Sequence, residues 1–245
     1  MTADQVIERG GKYDPPKNLS GRAYVKSSQA YEDLYEESID DPETFWARVA
    51  EGFYWSKKWD RVRSYNYNMD EGPVFIKWFE GAKTNITYNC LDRHLETRGD
   101  QVAIIWEGNE PGEDGTLTYR ELHEQVCKFA NVLKSRGIKK GDRVSIYMPM
   151  VPELAISMLS CARIGAVHSI VFGGFSAEAL ADRIVDSTCQ IVLTTDGMFR
   201  GDRPMERKQP ADEAIALANA RMDGTEVHTC VVVRRVGEGK GIECP

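Results

Sequence analysis

The chain has 245 residues, 42% hydrophobic and 28% charged, with 21 glycines, 10 prolines and a formal charge of −7. That length supports one large domain or two small ones, and that composition excludes collagen, coiled coil and wholesale disorder. The acidic total argues against a dedicated nucleic-acid binder, which needs a basic footprint, but leaves room for a local basic site for a phosphate.

The longest apolar run, Ala166 to Phe172, is interrupted by His168 and is far too short to cross a bilayer. The cysteines are Cys90, Cys127, Cys161, Cys189, Cys230 and Cys244. None form a Cys-x-x-Cys pair, so no zinc spacing exists; several fall inside apolar patterns, as free buried thiols would. The opening stretch MTADQVIERGGKYDPP lacks the basic and apolar regions of a secretory signal. A reducing compartment, the cytoplasm, is the expected location.

Residues 1–30 are polar, with Gly10-Gly11 and Pro15-Pro16, and show no apolar period. They read as an extended arm. The next zone, 31–85, holds four of the five tryptophans: Trp46, Trp55, Trp59 and Trp78. Asp41-Pro42-Glu43 is a helix start, since the aspartate caps free N–H groups and proline suits the first helical position. Phe45, Trp46, Val49, Phe53 and Tyr54 follow at helical spacing. The plain reading of this stripe is a core or docking face, and that of the acidic run before it a solvated face.

From residue 86 onward the pattern alternates. Thr87 to Arg98 predicts a helix ended by Gly99, and Val102 to Trp106 a strand. Thr118-Tyr-Arg-Glu121 fits a capping box opening a helix with Leu122, Val126, Phe129, Ala130 and Leu133 on one face. Arg143 to Met148 predicts a strand, Pro152 to Ile164 a helix closed by Gly165, and Ala166 to Phe172 a strand. Ser176 to Val185 predicts a helix, Gln190 to Thr195 a strand, Pro210 to Ala220 a helix and Val227 to Val233 a strand. Short β-branched runs separated by helices imply right-handed βαβ units, hence an α/β fold with a mostly parallel sheet flanked by helices. Runs such as IVLTT and TCVVV suit strands covered on both faces. The glycine-rich tail from Val236 to Pro245 has no helix after its strand, so the sheet looks cut rather than finished.

Ligands of such sheets sit beyond the carboxyl ends of the strands. The stretches to inspect are Pro149 to Pro152, Gly173 to Ser176 and Asp196 to Arg203. In Phe172-Gly-Gly-Phe-Ser176, paired glycines admit close backbone approach and Ser176 suits a helix cap. The plainer reading is a tight strand-to-helix turn. Arg200-Gly-Asp-Arg203 offers two guanidinium groups that suit a phosphate. Its plainer reading is a basic loop partly neutralised by Asp202. Cys90 and His94 lie four apart on the predicted helix, but two ligands are too few for a metal site. His168 reads as a satisfied core histidine. Gly237-Glu-Gly-Lys-Gly241 resembles a phosphate loop in composition only.

Four stretches carry a resemblance: ESIDDPETFWARVAEGFYWSKKWD, WFEGAKTNITYNCLDRHL, the run from Leu117 to Ile184, and LTTDGMFRG. Read together, they resemble the acetyl-CoA synthetase family, the AMP-forming acetate–CoA ligases of the acyl-adenylate-forming superfamily. The resemblance runs almost unbroken over about residues 32 to 203. Beyond the arm over 1–30, it implies the N-terminal segment peculiar to these ligases over 31–85, helical and Trp-rich, and the truncated first part of the adenylating domain over 86–245.

The implied reaction has two steps. Acetate attacks the α-phosphate of Mg-ATP to give acetyl-adenylate and pyrophosphate; the coenzyme A thiol then displaces AMP to give acetyl-CoA. The implied partners are small molecules (acetate, ATP and CoA), with no nucleic acid, no membrane and no metal site within this chain. The resemblance places the adenine and 3′-phosphate of coenzyme A on Phe172, Gly173, Gly174, Arg200, Gly201, Asp202 and Arg203. Asp202 stands where many bacterial relatives carry a small residue. The family's phosphate loop, acetate pocket, ribose aspartate, hinge and catalytic lysine have no counterpart here. The chain alone is therefore expected not to adenylate acetate. A non-catalytic CoA- or partner-binding module is the alternative.

Overall fold

The computed structural model describes residues 15–237, 242 and 244. Gly10-Gly11, with the rest of residues 1–14 of the expected arm, and residues 238–241 of the Gly237–Gly241 stretch lie outside the described residues. The chain divides into two compact units.

The first unit comprises the described residues up to Phe53 together with Lys57–Ala82. Its described part of the arm is not wholly extended, because α1 (Lys17–Ser20) follows Pro16. Ser27 caps α2 (Ser28–Asp40) by accepting from the Ala30 N–H. Asp41 caps α3 (Pro42–Ala50) by accepting from the Thr44 N–H, with Pro42 at the first helical position as expected. Arg48 on α3 pairs with Glu37 on α2 at 2.6 Å.

The unit also holds an antiparallel hairpin that the sequence reading did not anticipate, β1 (Arg61–Asn66) with β2 (Phe75–Glu80). Trp46 of α3 meets Trp78 of β2 edge-on, with ring centroids 6.0 Å apart. Arg63 lies over both Tyr65 and Trp78. Trp46 remains 40% exposed, and among the described residues only Ala50 and Val62 form a buried apolar core in this unit. The aromatic stripe is thus mostly a surface face.

The second unit comprises Tyr54–Ser56 and Lys83 onward. The helix predicted over Thr87 to Arg98 is broken into α4 (Ile86–Cys90), a 3₁₀ turn over Asp92–His94, and α5 (Leu95–Arg98). The break falls at Leu91, with φ −124° and ψ −65°. Leu91 is buried against Leu122, Val126 and Ile156, and Asp92 is held by both guanidinium nitrogens of Arg163. Tertiary burial overrides local helical pattern here.

β3 (Val102–Glu107) forms as predicted but does not join the parallel sheet. It pairs antiparallel with β4 (Asp114–Thr118). The capping box is present: Thr118 accepts from the Glu121 N–H and Glu121 accepts from the Thr118 N–H, opening α6 (Tyr119–Ser135). Leu122, Val126, Ala130 and Leu133 are its buried face.

The remaining elements are β5 (Arg143–Tyr147), α7 (Pro152–Ile164), β6 (Val167–Ile170), α8 (Ala177–Ser187), β7 (Ile191–Thr195), β8 (Gly197–Arg200), β9 (Arg203–Glu206), α9 (Lys208–Asn219) and β10 (Thr229–Val233). Gly165 ends α7 in the left-handed conformation, φ 76°.

The main sheet is four-stranded and parallel, in the order β10-β7-β5-β6. This is the expected α/β fold. Val144, Ile146, Ile191 and Leu193 face Leu133 and Cys161 on the side of α6 and α7. Tyr147 and Val192 face Leu180, Ile184, Ala211 and Ala214 on the side of α8 and α9. Two apolar faces explain why these strands read as continuous hydrophobic runs.

The chain leaves β5 toward one face and β7 toward the other. The sheet's direction of growth therefore reverses between these neighbours, and their carboxyl ends diverge into a crevice.

Candidate functional site

Four segments meet at this crevice. The first follows β5, Met148 to Val151. The second follows β6 and contains Phe172, Gly173 and Gly174. The third is the β8–β9 hairpin after β7, and the fourth is the end of β3 with its following loop. Together with Arg235 they line a cleft of about 330 Å³.

The glycines are fitted to this place by contact rather than by backbone twist. A Cβ on Gly173 would come within 3.3 Å of the Met148 carbonyl oxygen, and one on Gly174 within 2.7 Å of the Phe172 ring. Phe172 itself is 71% exposed. The loop is fastened below: the Tyr147 hydroxyl donates to the Phe175 carbonyl at 2.8 Å, and Ser176 caps α8 by accepting from the Ala179 N–H. The stretch is a tight turn, with Gly173 buried and Gly174 exposed.

The Arg200-Gly-Asp-Arg203 stretch is not a loop but the tip of the β8–β9 hairpin. Gly201 takes φ 64° as the first central residue of a two-residue turn, a position that favours glycine. Arg200 and Arg203 are directly paired across the tip. Both are exposed, and neither has an ion-pair partner among the described residues. Like charges directly opposite on a ribbon repel, and an anion between them relieves that repulsion.

Asp202 forms no ion pair with either of them among the described residues. It lines a separate hollow of about 300 Å³ beside Glu110 and Glu113. The structure thus brings Phe172, Gly173 and Gly174 into the cleft with Met198 and Phe199 of the hairpin. Arg200, Gly201, Asp202 and Arg203 sit at the hairpin's tip, outside the cleft lining.

The sequence reading assigned no role to three supporting residues, although Asp196 opens one of the stretches it singled out. Trp106, at the end of β3, donates its ring N–H to the Met150 carbonyl at 3.1 Å. Arg235 places its guanidinium 5.2 Å from the Trp106 ring and 5.1 Å from the Phe199 ring, and pairs with Glu113. Asp196 is 4% exposed, and its carboxylate accepts from the N–H groups of Gly197, Arg235, Val236 and Gly237. Burial pushes the Asp196 carboxyl up, but these four donors outweigh it and hold the group below the usual carboxylate range. The Glu113 carboxyl is lowered to about 2, first by its bond from Arg235. The one signal available in sequence was the Arg234-Arg235 pair just beyond a predicted strand.

Two other readings change. Cys90 ends α4 and His94 lies in the next turn with its ring on Tyr119, so they do not share a helical face. No cluster of three or more metal-binding side chains occurs among the described residues. His168 is not a satisfied core histidine: it is half-buried on the edge strand β6, and its Nδ1 has no partner among the described residues.

Comparison with known proteins places these features. Residues 91–243 match the family model described as AMP-binding enzyme, and residues 31–90 match that described as acetyl-coenzyme A synthetase N-terminus. An acetyl-coenzyme A synthetase of Aeromonas hydrophila is 55% identical over 226 residues, covering 92% of this chain and 34% of that protein. Those of Saccharophagus degradans and Drosophila melanogaster are each 51% identical, over 92% and 90% of this chain and 33% of their own lengths. The chain thus spans about a third of the length of these curated relatives. With its parallel sheet, its crevice and both matches in register, the chain belongs to the AMP-binding enzyme family, in the form that carries the acetyl-coenzyme A synthetase N-terminus.

Proposed function

We propose that this chain supplies part of the coenzyme A site of an AMP-forming ligase that makes acetyl-CoA from acetate, ATP and CoA through acetyl-adenylate. The observation that carries this reading is the pair of arginines facing each other across the hairpin tip, without ion-pair partners among the described residues, next to a cleft lined in part by Gly173 and Gly174. The 3′-phosphate of coenzyme A has the charge and the oxygens that two guanidinium forks accept. Phe172 offers an exposed ring for a purine, and the missing side chain at Gly174 leaves the near side of that ring clear.

These residues bind and orient, and none of them reacts. The acetyl-transfer chemistry belongs to the adenylate route, in which AMP is a good leaving group where a bare carboxylate oxygen is not. The chain alone, spanning a third of its relatives, is proposed to be inactive. Its working partners are the small molecules themselves, and the cytoplasm is its proposed location. No helix among the described residues is long and apolar enough to cross a membrane.

The test is calorimetric binding of CoA and of dephospho-CoA to the chain and to Arg203→Glu. The substitution is expected to weaken CoA at least tenfold and to leave dephospho-CoA nearly unchanged. Equal loss of both ligands removes the 3′-phosphate from Arg203.

A further inference from the structure

We propose that Arg235 is a positioning residue: it holds the β8–β9 hairpin in place so that Arg200 and Arg203 stay paired at its tip, beside the cleft that Met198 and Phe199 line, without touching the ligand itself. This rests on the coenzyme A reading above for its purpose, but not for its geometry.

Two four-residue strands joined by a two-residue turn have no independent stability in water. This hairpin also carries opposed arginines at its tip, which push it open. Something outside it must fix it, and three fastenings do so. At the root, the Asp196 carboxylate accepts from the N–H of Gly197 on the hairpin and from that of Arg235. In the body, the Arg235 guanidinium is sandwiched between Phe199, next to Arg200, and Trp106 of β3. At the tip, Asn109 donates its side-chain N–H to the Gly201 carbonyl at 3.3 Å.

Glu113 joins the last two. One of its carboxylate oxygens takes the Arg235 guanidinium and the other accepts from the Asn109 N–H at 2.9 Å. Arg235 is the member common to the root and the body. Its side chain is 13% exposed and its charge is committed to Glu113, so it is poorly disposed to take a phosphate itself. A planar guanidinium stacks on two rings and bonds a carboxylate at once, which an ammonium does not do.

The test compares the chain with Arg235→Lys and Arg235→Met by amide hydrogen exchange and by calorimetry with CoA and dephospho-CoA. In Arg235→Met the amides of residues 197–206 are expected to exchange at least tenfold faster while those of β5 and β7 do not change. The preference for CoA over dephospho-CoA is expected to fall toward one. Arg235→Lys, which keeps the charge but not the stack, is expected to behave nearly as badly. Unchanged exchange in 197–206 overturns the proposal. So does a CoA preference that Arg203→Glu removes but Arg235→Met leaves intact.

If the chain itself shows no CoA preference, the coenzyme A reading fails, and exchange in 197–206 still decides the role of Arg235. Should Arg235→Met exchange globally, Glu113→Gln, which releases the same guanidinium, replaces it with the same two readouts.

Discussion

A single buried carboxylate carries much of the local order around the cleft. Asp196 satisfies four backbone N–H groups from two segments far apart in sequence, the start of β8 and the stretch after β10. Removing it leaves those donors without their partner in a largely buried site. Asp196→Ala is therefore expected to cost on the order of 3 kcal/mol, read as a lower urea midpoint. The pH dependence has a definite sign. The folded-state carboxyl is lowered, so its stabilisation is full above the unfolded carboxylate range near ~4 and is lost as pH falls through the lower folded value. Asp92, where burial opposes the stronger hold of Arg163 and His123, acts in the same direction. Asp196→Ala should accordingly flatten the acid limb of stability against pH, and an acid limb unchanged from the parent chain would show that other carboxylates set it.

Among the elements, α6 ties the two-stranded β3–β4 sheet to the parallel one. Its start is fixed by a reciprocal cap and its inner face by Leu122, Val126, Ala130 and Leu133. Leu133 is fully buried against Val144 and Ile146. Leu133→Ala is expected to lower stability by about 2–5 kcal/mol, measured by denaturant unfolding. A loss below ~1 kcal/mol would mean that the helix packs more loosely than its burial implies.

Elements of this kind were legible in the residues alone. The cap Thr118-x-x-Glu121, Pro152 at the first turn of α7 and Gly165 at its end each have one strong physical reading. The hairpins were not legible. In β8 and β9 only four residues form each strand, and Pro204 within the second argues against a strand unless it lies at an edge. The broken helix at Leu91 was hidden for the opposite reason: its local pattern is helical, and only its burial against α6 and α7 makes it turn. The candidate arginines were found by resemblance and by their place after β7. Their face-to-face pairing and the bracket made by Trp106, Glu113 and Arg235 come from contacts among β3, β8 and the stretch beyond β10, which no window of sequence contains.

At the scale of the molecule, the parallel sheet has β6 and β10 as its edges among the described residues. Val167 and Ile170 on β6 are each about half exposed. Exposed apolar edges invite pairing with other chains or with further strands. The cleft opens at the carboxyl ends of this sheet's central strands, and Glu107 and Arg235 are the charged residues among its lining. Incubating the chain with acetate, Mg-ATP and CoA is expected to release no pyrophosphate above a blank. Acetate-dependent release would show that the described walls do more than grip.

The strand order has a consequence for how the protein is born. The two central strands, β5 and β7, pair Val144 with Ile191, so their ladder waits until nearly fifty further residues have left the ribosome. The hairpins β1–β2 and β3–β4 are already complete in the chain before β7 emerges. During that interval the run VSIY has only β6 to pair with and its β7 side stays open, and translation speed across the stretch up to β7 sets for how long. A slow codon run placed before residue 191 would therefore lengthen the most aggregation-prone moment of this protein's synthesis, and one placed after β10 would not.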